Sequence, residues 1–172
     1  VFGAGQGSGG ATGKVAEETG LSNQDLNENV RLRFSVQNSG TPITSQLFRL
    51  QVAEKGSALN CESVAHVNYN DVPTTAGGCG SSPACMTAST QFADQAVTSG
   101  SLSYPAAMSF APGAMVENPS NQSNSMTVPS NSTTEIEYNF ELTANATQSA
   151  YCFRTTNGGT DLDNYQRVAE VT

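Results

Sequence analysis

Tryptophan is absent from this sequence, histidine occurs once, and only 7 of its 172 residues are Lys or Arg. The shortage of positive charge has the widest consequence. Set against 15 acidic side chains, it leaves a formal net charge of -8 and a pI near 4.4, so a nucleic-acid backbone or an anionic bilayer repels the chain. Nucleic acid is thereby excluded as a partner. Long apolar runs are also missing: no stretch of about 18 apolar residues exists, and no membrane insertion is expected. Charged residues make up 13% of the chain, about half of the roughly 25% usual in globular domains, and Ser, Thr, Asn, Gln and Gly fill most polar positions. With 37% hydrophobic residues the chain can still fill the core of one domain.

The lone His66 also limits the chemistry. A nucleophilic triad needs a base that takes a proton near neutral pH, and a usual zinc site needs more nitrogen or sulfur ligands than one His and paired cysteines supply. His66 is read as a surface residue of a strand over 64–69, and no catalytic residue is assigned. A paired-carboxylate glycosidase has the acids it needs, yet Glu135, Glu137 and Glu141 fall on the outward face of one predicted strand, where solvation accounts for them.

Four cysteines form an even set without a Cys-x-x-Cys spacing, which reads as two disulfides and an oxidising compartment. Four cysteines allow three pairings. Cys79 and Cys85 bracket a Gly-Ser-Ser-Pro turn that closes locally, leaving Cys61 to pair with Cys152 across the fold. In the chain-entropy picture that closure of roughly 90 residues stabilises by about 4 to 5 kcal/mol. The chain starts at Val1 with no basic n-region or apolar h-region, and it is read as already processed. The expected location is extracellular or at the cell surface.

Residues 1–14 are Gly-rich and cannot build a core of their own; residues 15–172 are expected to form one domain. Gly5 to Gly10 formally match a dinucleotide fingerprint, but only four residues precede it, too few for the strand that the motif requires. Val15 stands where a phosphate-binding loop needs Ser or Thr, and no cofactor is expected.

From Val30 the pattern alternates. Val30, Leu32, Phe34 and Val36 are separated by Arg31, Arg33 and Ser35; Phe48, Leu50 and Val52 by Arg49 and Gln51; Ile136, Tyr138, Phe140 and Leu142 by Glu137, Asn139 and Glu141. Period-2 alternation predicts half-buried antiparallel strands sharing one core. Weaker strand patterns fall at 64–69, 106–117, 124–128, 150–155 and 163–171. At most one short helix is expected over 15–29, and 77–100 reads as an irregular surface excursion. The expected fold is all-β, an antiparallel two-sheet sandwich of jelly-roll or Ig-like type with an extended N-terminal tail.

Two minor site types are present in the sequence. The Gly-rich segment Asn157 to Asn164 carries Asp161 and Asp163, weak calcium candidates that do not match an EF-hand, against the simpler reading of a polar hairpin connection. Asn121, Asn131 and Asn145 head Asn-x-Ser/Thr sequons and are candidate glycan sites.

The run Val30 to Gly40, then Phe48 to Glu54 and Cys61, together with Thr134 to Tyr138, Thr143 to Thr147, Tyr151 to Arg154 and Tyr165 to Thr172, resembles the β-sandwich modules of uncharacterised secreted bacterial surface proteins. The likeness covers roughly residues 28–65 and 132–172. Such modules usually stand in tandem, whereas this chain has one copy behind a Gly-rich segment. In that arrangement it looks like jelly-roll subunits of extracellular filaments in which each tail completes a neighbour's sheet. The resemblance implies a pilus-like homopolymer, with Val1, Phe2, Gly3, Ala4 and Gly5 at the subunit interface and the chain as its own partner. The competing reading is an adhesin or carbohydrate-binding module of a bacterial surface protein, with the loops between Gly77 and Ser130 holding the ligand.

Overall fold

The computed structural model describes residues 2–4, 15–100, 102, 108–147 and 149–172. Its strands are β1 (Phe2–Ala4), β2 (Asn29–Asn38), β3 (Ile43–Gln46), β4 (Phe48–Glu54), β5 (Asn70–Asp71), β6 (Ala84–Met86), β7 (Ser109–Ala111), β8 (Met115–Val116), β9 (Met126–Val128), β10 (Ser132–Leu142), β11 (Tyr151–Asn157) and β12 (Ala169–Val171). The fold is all-β, and the only helical pieces among the described residues are short 3-10 turns.

β2 and β10 are the spine. They pair antiparallel in unbroken register from Ser132 opposite Asn38 to Glu141 opposite Asn29. A six-stranded sheet forms around them, with β1 on the free side of β2 and with β6, β7 and β8 sharing the far side of β10. A four-stranded sheet runs β12-β11-β4-β5, and β3 pairs with β9.

The alternating residues do meet in one core. Val30, Leu32 and Phe34 of β2, Ile136, Tyr138, Phe140 and Leu142 of β10, and Phe48, Leu50 and Val52 of β4 all belong to a single buried cluster. Across it the Phe140 and Phe153 rings lie 4.5 Å apart, and the Tyr138 hydroxyl meets Thr155 Oγ1 at 2.7 Å. A Tyr hydroxyl in a core needs such a partner, and burial pushes the pKa of this phenol far up.

Several expectations are corrected. Not every pairing is antiparallel: β7 and β8 run parallel to β10. Over 15–29 the expectation of at most one short helix stands with none formed, because the backbone bonds elsewhere: Leu21 N–H donates to Glu170 O, Gln24 N–H to Thr172 O and Asn27 N–H to Leu142 O, each at 2.8 Å. The region 64–69 is no strand. It holds the 3-10 turn His66–Asn68 after a similar turn at Cys61–Ser63, the latter capped by the Asn60 side chain accepting from Ser63 N–H. Its apparent alternation breaks at Val67, which is 88% exposed. The excursion 77–100 contributes β6, wholly buried and paired to β10 at Phe140, Glu141 and Leu142.

Disulfides join Cys61 to Cys152, across 91 residues, and Cys79 to Cys85, across 6. The short bridge closes the turn that leads into β6; the long one ties the 3-10 turns at 61–68 to β11. No helix among the described residues is long and apolar enough to cross a membrane. Two disulfides are compatible with a secreted protein.

Candidate functional site

β1 holds three of the residues expected at a subunit interface. It pairs antiparallel with β2, Phe2 opposite Phe34, Gly3 opposite Arg33 and Ala4 opposite Leu32. The structure thus sets three of the expected interface residues, Phe2, Gly3 and Ala4, on an edge of their own sheet; Val1 and Gly5 lie outside the described residues. β1 covers only Leu32–Phe34. Among the described residues no strand pairs with Ser35–Asn38 on that side of β2.

A groove of about 550 Å³ begins where β1 ends. One wall is β2 from Phe34 onward; the other is the end of β11 with the segment 162–167. β12 pairs with β11 only at Tyr151, Cys152 and Phe153, and at the far end Asn157 exchanges backbone hydrogen bonds with Thr160. Between the two the Tyr165 hydroxyl donates to Thr155 O at 3.0 Å and accepts from Leu162 N–H at 3.1 Å, so one side chain braces the wall. Burial pushes the Tyr165 pKa up, which keeps its donor proton in place at ordinary pH. The floor is apolar: Phe34, Phe48 and Val128 are core residues, and Val36 and Leu162 pack partly against them.

The outer face of the six-stranded sheet shows what sequence reasoning missed. Glu135 and Glu137 are 0% exposed, contrary to their expected solvation. Arg33 donates to Glu135 at 2.8 Å and to Glu137 at 2.6 Å, and Arg31 Nε donates to Glu137 at 2.7 Å. Two cations and two anions therefore balance. The chain after β6 seals them in: Ser99 O accepts from Arg33 at 2.8 Å, Leu102 N–H donates to Glu135 at 2.9 Å, Thr98 Oγ1 donates to Glu135 O at 2.7 Å, and the Phe92 ring lies 4.6 Å from the Arg31 guanidinium. The available signal was Arg31 and Arg33 on one strand with Glu135 and Glu137 at the same period on another. Glu141, further along, is only half-buried.

The four-stranded sheet carries a more open cluster on its outer face. Arg154 lies under Tyr69, 4.0 Å from the ring centroid, and 5.3 Å from that of Tyr165. Its guanidinium donates to Gln51 Oε1 at 3.1 and 2.8 Å and pairs with Asp161 at 2.6 Å. His66 Nδ1 also contacts the Asp161 carboxylate. Burial raises the Tyr69 phenol to about 12, so it stays protonated at neutral pH and serves as a stacking surface that holds Arg154. The cluster brings together a His and an Asp without an activated nucleophile.

Of the two calcium candidates, Asp161 is engaged by Arg154 and His66, and Asp163 is exposed. Among the described residues no group of three or more His, Cys, Asp or Glu is arranged to hold a metal ion. The sequon asparagines differ in their surroundings. Asn121 acts as a substitute peptide on β4: its Oδ1 accepts from Leu50 N–H at 3.0 Å, and its Nδ2 donates to Leu50 O at 3.0 Å and Val72 O at 2.6 Å. Asn131 is exposed in the turn before β10, with φ 49°. Asn145 is exposed and donates to Gly80 O at 2.9 Å.

Compared with family models, curated proteins and solved structures, the chain matches none.

Proposed function

We propose that this chain is a secreted β-sandwich, of jelly-roll or Ig-like type, that serves as the structural subunit of an extracellular filament and is joined to the next subunit by its N-terminal strand. One observation carries the reading. Phe2–Ala4 lies on a sheet edge, and only the Gly-rich residues 5–14 link it to the body. An edge element on such a link can be traded between identical copies, since a neighbour offers the same sheet edge that the strand occupies in its own chain.

Composition is in keeping with the extracellular part of the reading: few charged residues and two disulfides suit a protein outside the cell. The resemblance to secreted bacterial modules points the same way. The tyrosines on the four-stranded sheet favour the adhesin reading less, because Tyr69 and Tyr165 stack on Arg154 instead of offering free faces. Asn131 and Asn145 are the better placed glycan candidates, since the Asn121 amide is committed to β4 and to Val72.

The test is removal of Val1 to Gly13, followed by electron microscopy and circular dichroism. The intact chain is expected to form regular fibres, and the truncated chain to remain folded, β-rich and monomeric. Fibres from the truncated chain as abundant as those from the intact one would transfer support to the adhesin reading.

A further inference from the structure

The groove beside β2 has the features of a site for one more strand. It offers a backbone edge at Ser35–Asn38 to which no strand pairs among the described residues, and an apolar floor at Phe34, Phe48 and Val128. It also continues the line along which β1 already lies, starting at Phe34, the last residue that β1 pairs.

We propose that this groove is the acceptor for the N-terminal segment of a second copy of the chain, seated two residues further along β2 than the chain's own strand. Phe2 then stands opposite Val36, Gly3 opposite Ser35 and Ala4 opposite Phe34. The proposal rests on the strand-linked filament reading and gives that linkage its address and register.

Three considerations set the register. A displacement by two residues keeps every side chain on the face it had, whereas a displacement by one would exchange the two faces. Phe2 is the largest apolar residue within 1–14, and the deeper register sets it opposite Val36, over the apolar floor of a groove of about 550 Å³ that the chain's own strand stops short of. Pairing also extends past Phe34, so a strand in trans satisfies backbone groups that one in cis leaves to solvent. In cis the strand is tethered through residues 5–14 to Val15, which packs against the core; a neighbour's segment enters without that tether.

The chain's own strand is displaced when the neighbour's enters, and it becomes the donor for the following copy. The contact is head-to-tail and repeats without closing on itself, which generates a fibre. In the isolated chain, the strand lying at its shallower register shields part of the edge until exchange occurs.

Cysteine pairing reads the register directly. Directly opposed residues on antiparallel strands have Cα atoms about 4.5 to 5.5 Å apart, within the roughly 4.4 to 6.8 Å that a disulfide spans, while neighbours two positions off lie near 7 to 8 Å. Ser35 is half-buried and outside the core cluster, and no native cysteine is free. Full-length Ser35→Cys chain is mixed, under mild oxidation, with Gly3→Cys chain and separately with Val1→Cys chain, and the fibres are analysed by non-reducing electrophoresis.

The proposal expects the Gly3→Cys mixture to form inter-chain disulfides at least about tenfold more than the Val1→Cys mixture. Dominant Val1 to Ser35 linkage would mean that strands exchange in the register of the isolated chain; that result overturns the groove assignment and leaves the filament reading standing. Fibres with neither linkage would overturn the assignment by placing the acceptor elsewhere. Absence of fibres from the intact chain would overturn the filament reading, and this inference with it.

Discussion

The two flanks of the β2–β10 pair are finished in different ways. Beyond β10, three short strands divide the edge among them: β7 against Ser132 to Thr134, β8 against Glu137 and Tyr138, and β6 against Phe140 to Leu142. The chain between β6 and β7 also bonds to the buried charges of the outer face, and a disulfide fixes the turn into β6. Beyond β2 there is one strand of three residues, linked through a Gly-rich segment, and then an open groove. The first flank is closed by chain that cannot leave without breaking hydrogen bonds to buried charges. The second is closed by a piece that can. Free sheet edges tend to recruit strands, and of the two flanks the β2 side is the one that fits the proposed association.

The comparison fails if the β10 flank proves easy to disturb. The largest effect is expected from Arg33→Ala, which removes the cation paired with buried Glu135 and one of the two paired with buried Glu137; it should lower the unfolding free energy by about 3 to 5 kcal/mol in denaturant titration. A loss below about 1 kcal/mol would mean that the ion set does not hold this face together. Gly113→Ala comes next. A Cβ there would sit 2.0 Å from the Glu135 carbonyl oxygen, so the chain leading into β8 must move, at a cost of about 1 to 3 kcal/mol in the same titration.

Alkaline pH should act on the groove wall and on the sheet behind it. Burial holds the folded pKa of Tyr165 above its ordinary 10.0 and that of Tyr69 at about 12, so the unfolded chain gives up these protons first. Their contribution is whole below pH 10, declines as pH rises past it, and is lost as Tyr69 ionises near 12. Unfolding free energies measured from about pH 9 to about pH 12 should fall for the intact chain and fall less steeply for Tyr69→Phe. Equal slopes would deny the burial of that phenol. The smallest effect on stability belongs to the open flank: removing Val1 to Gly13 should cost the monomer about 1 kcal/mol or less, because among the described residues three residue pairs are lost.

What the sequence made legible follows from how far each element's pattern extends. β2, β4 and β10 span 10, 7 and 11 residues, long enough for alternation to register, and their apolar positions all reach the core. β6 spans 3 and β8 spans 2, too short for any period; only pairing with β10 makes them strands. Glu135 and Glu137 were misjudged because alternation reports which way a side chain points, and says nothing of what later chain covers it. The groove was invisible for a related reason. It is defined by where β1 and β12 stop pairing, and pairing limits are tertiary facts. The N-terminal segment was legible in chemistry, with Val1 and Phe2 ahead of a Gly-rich stretch, but its place on β2 required the fold.

The most direct test of the central claim is a helical reconstruction of fibres assembled from the intact chain, at a resolution that traces the backbone. The account predicts continuous density from residue 15 of one subunit, through its Gly-rich segment, to a strand on β2 of the next. A strand lying on its own β2 in every subunit of the fibre would contradict it.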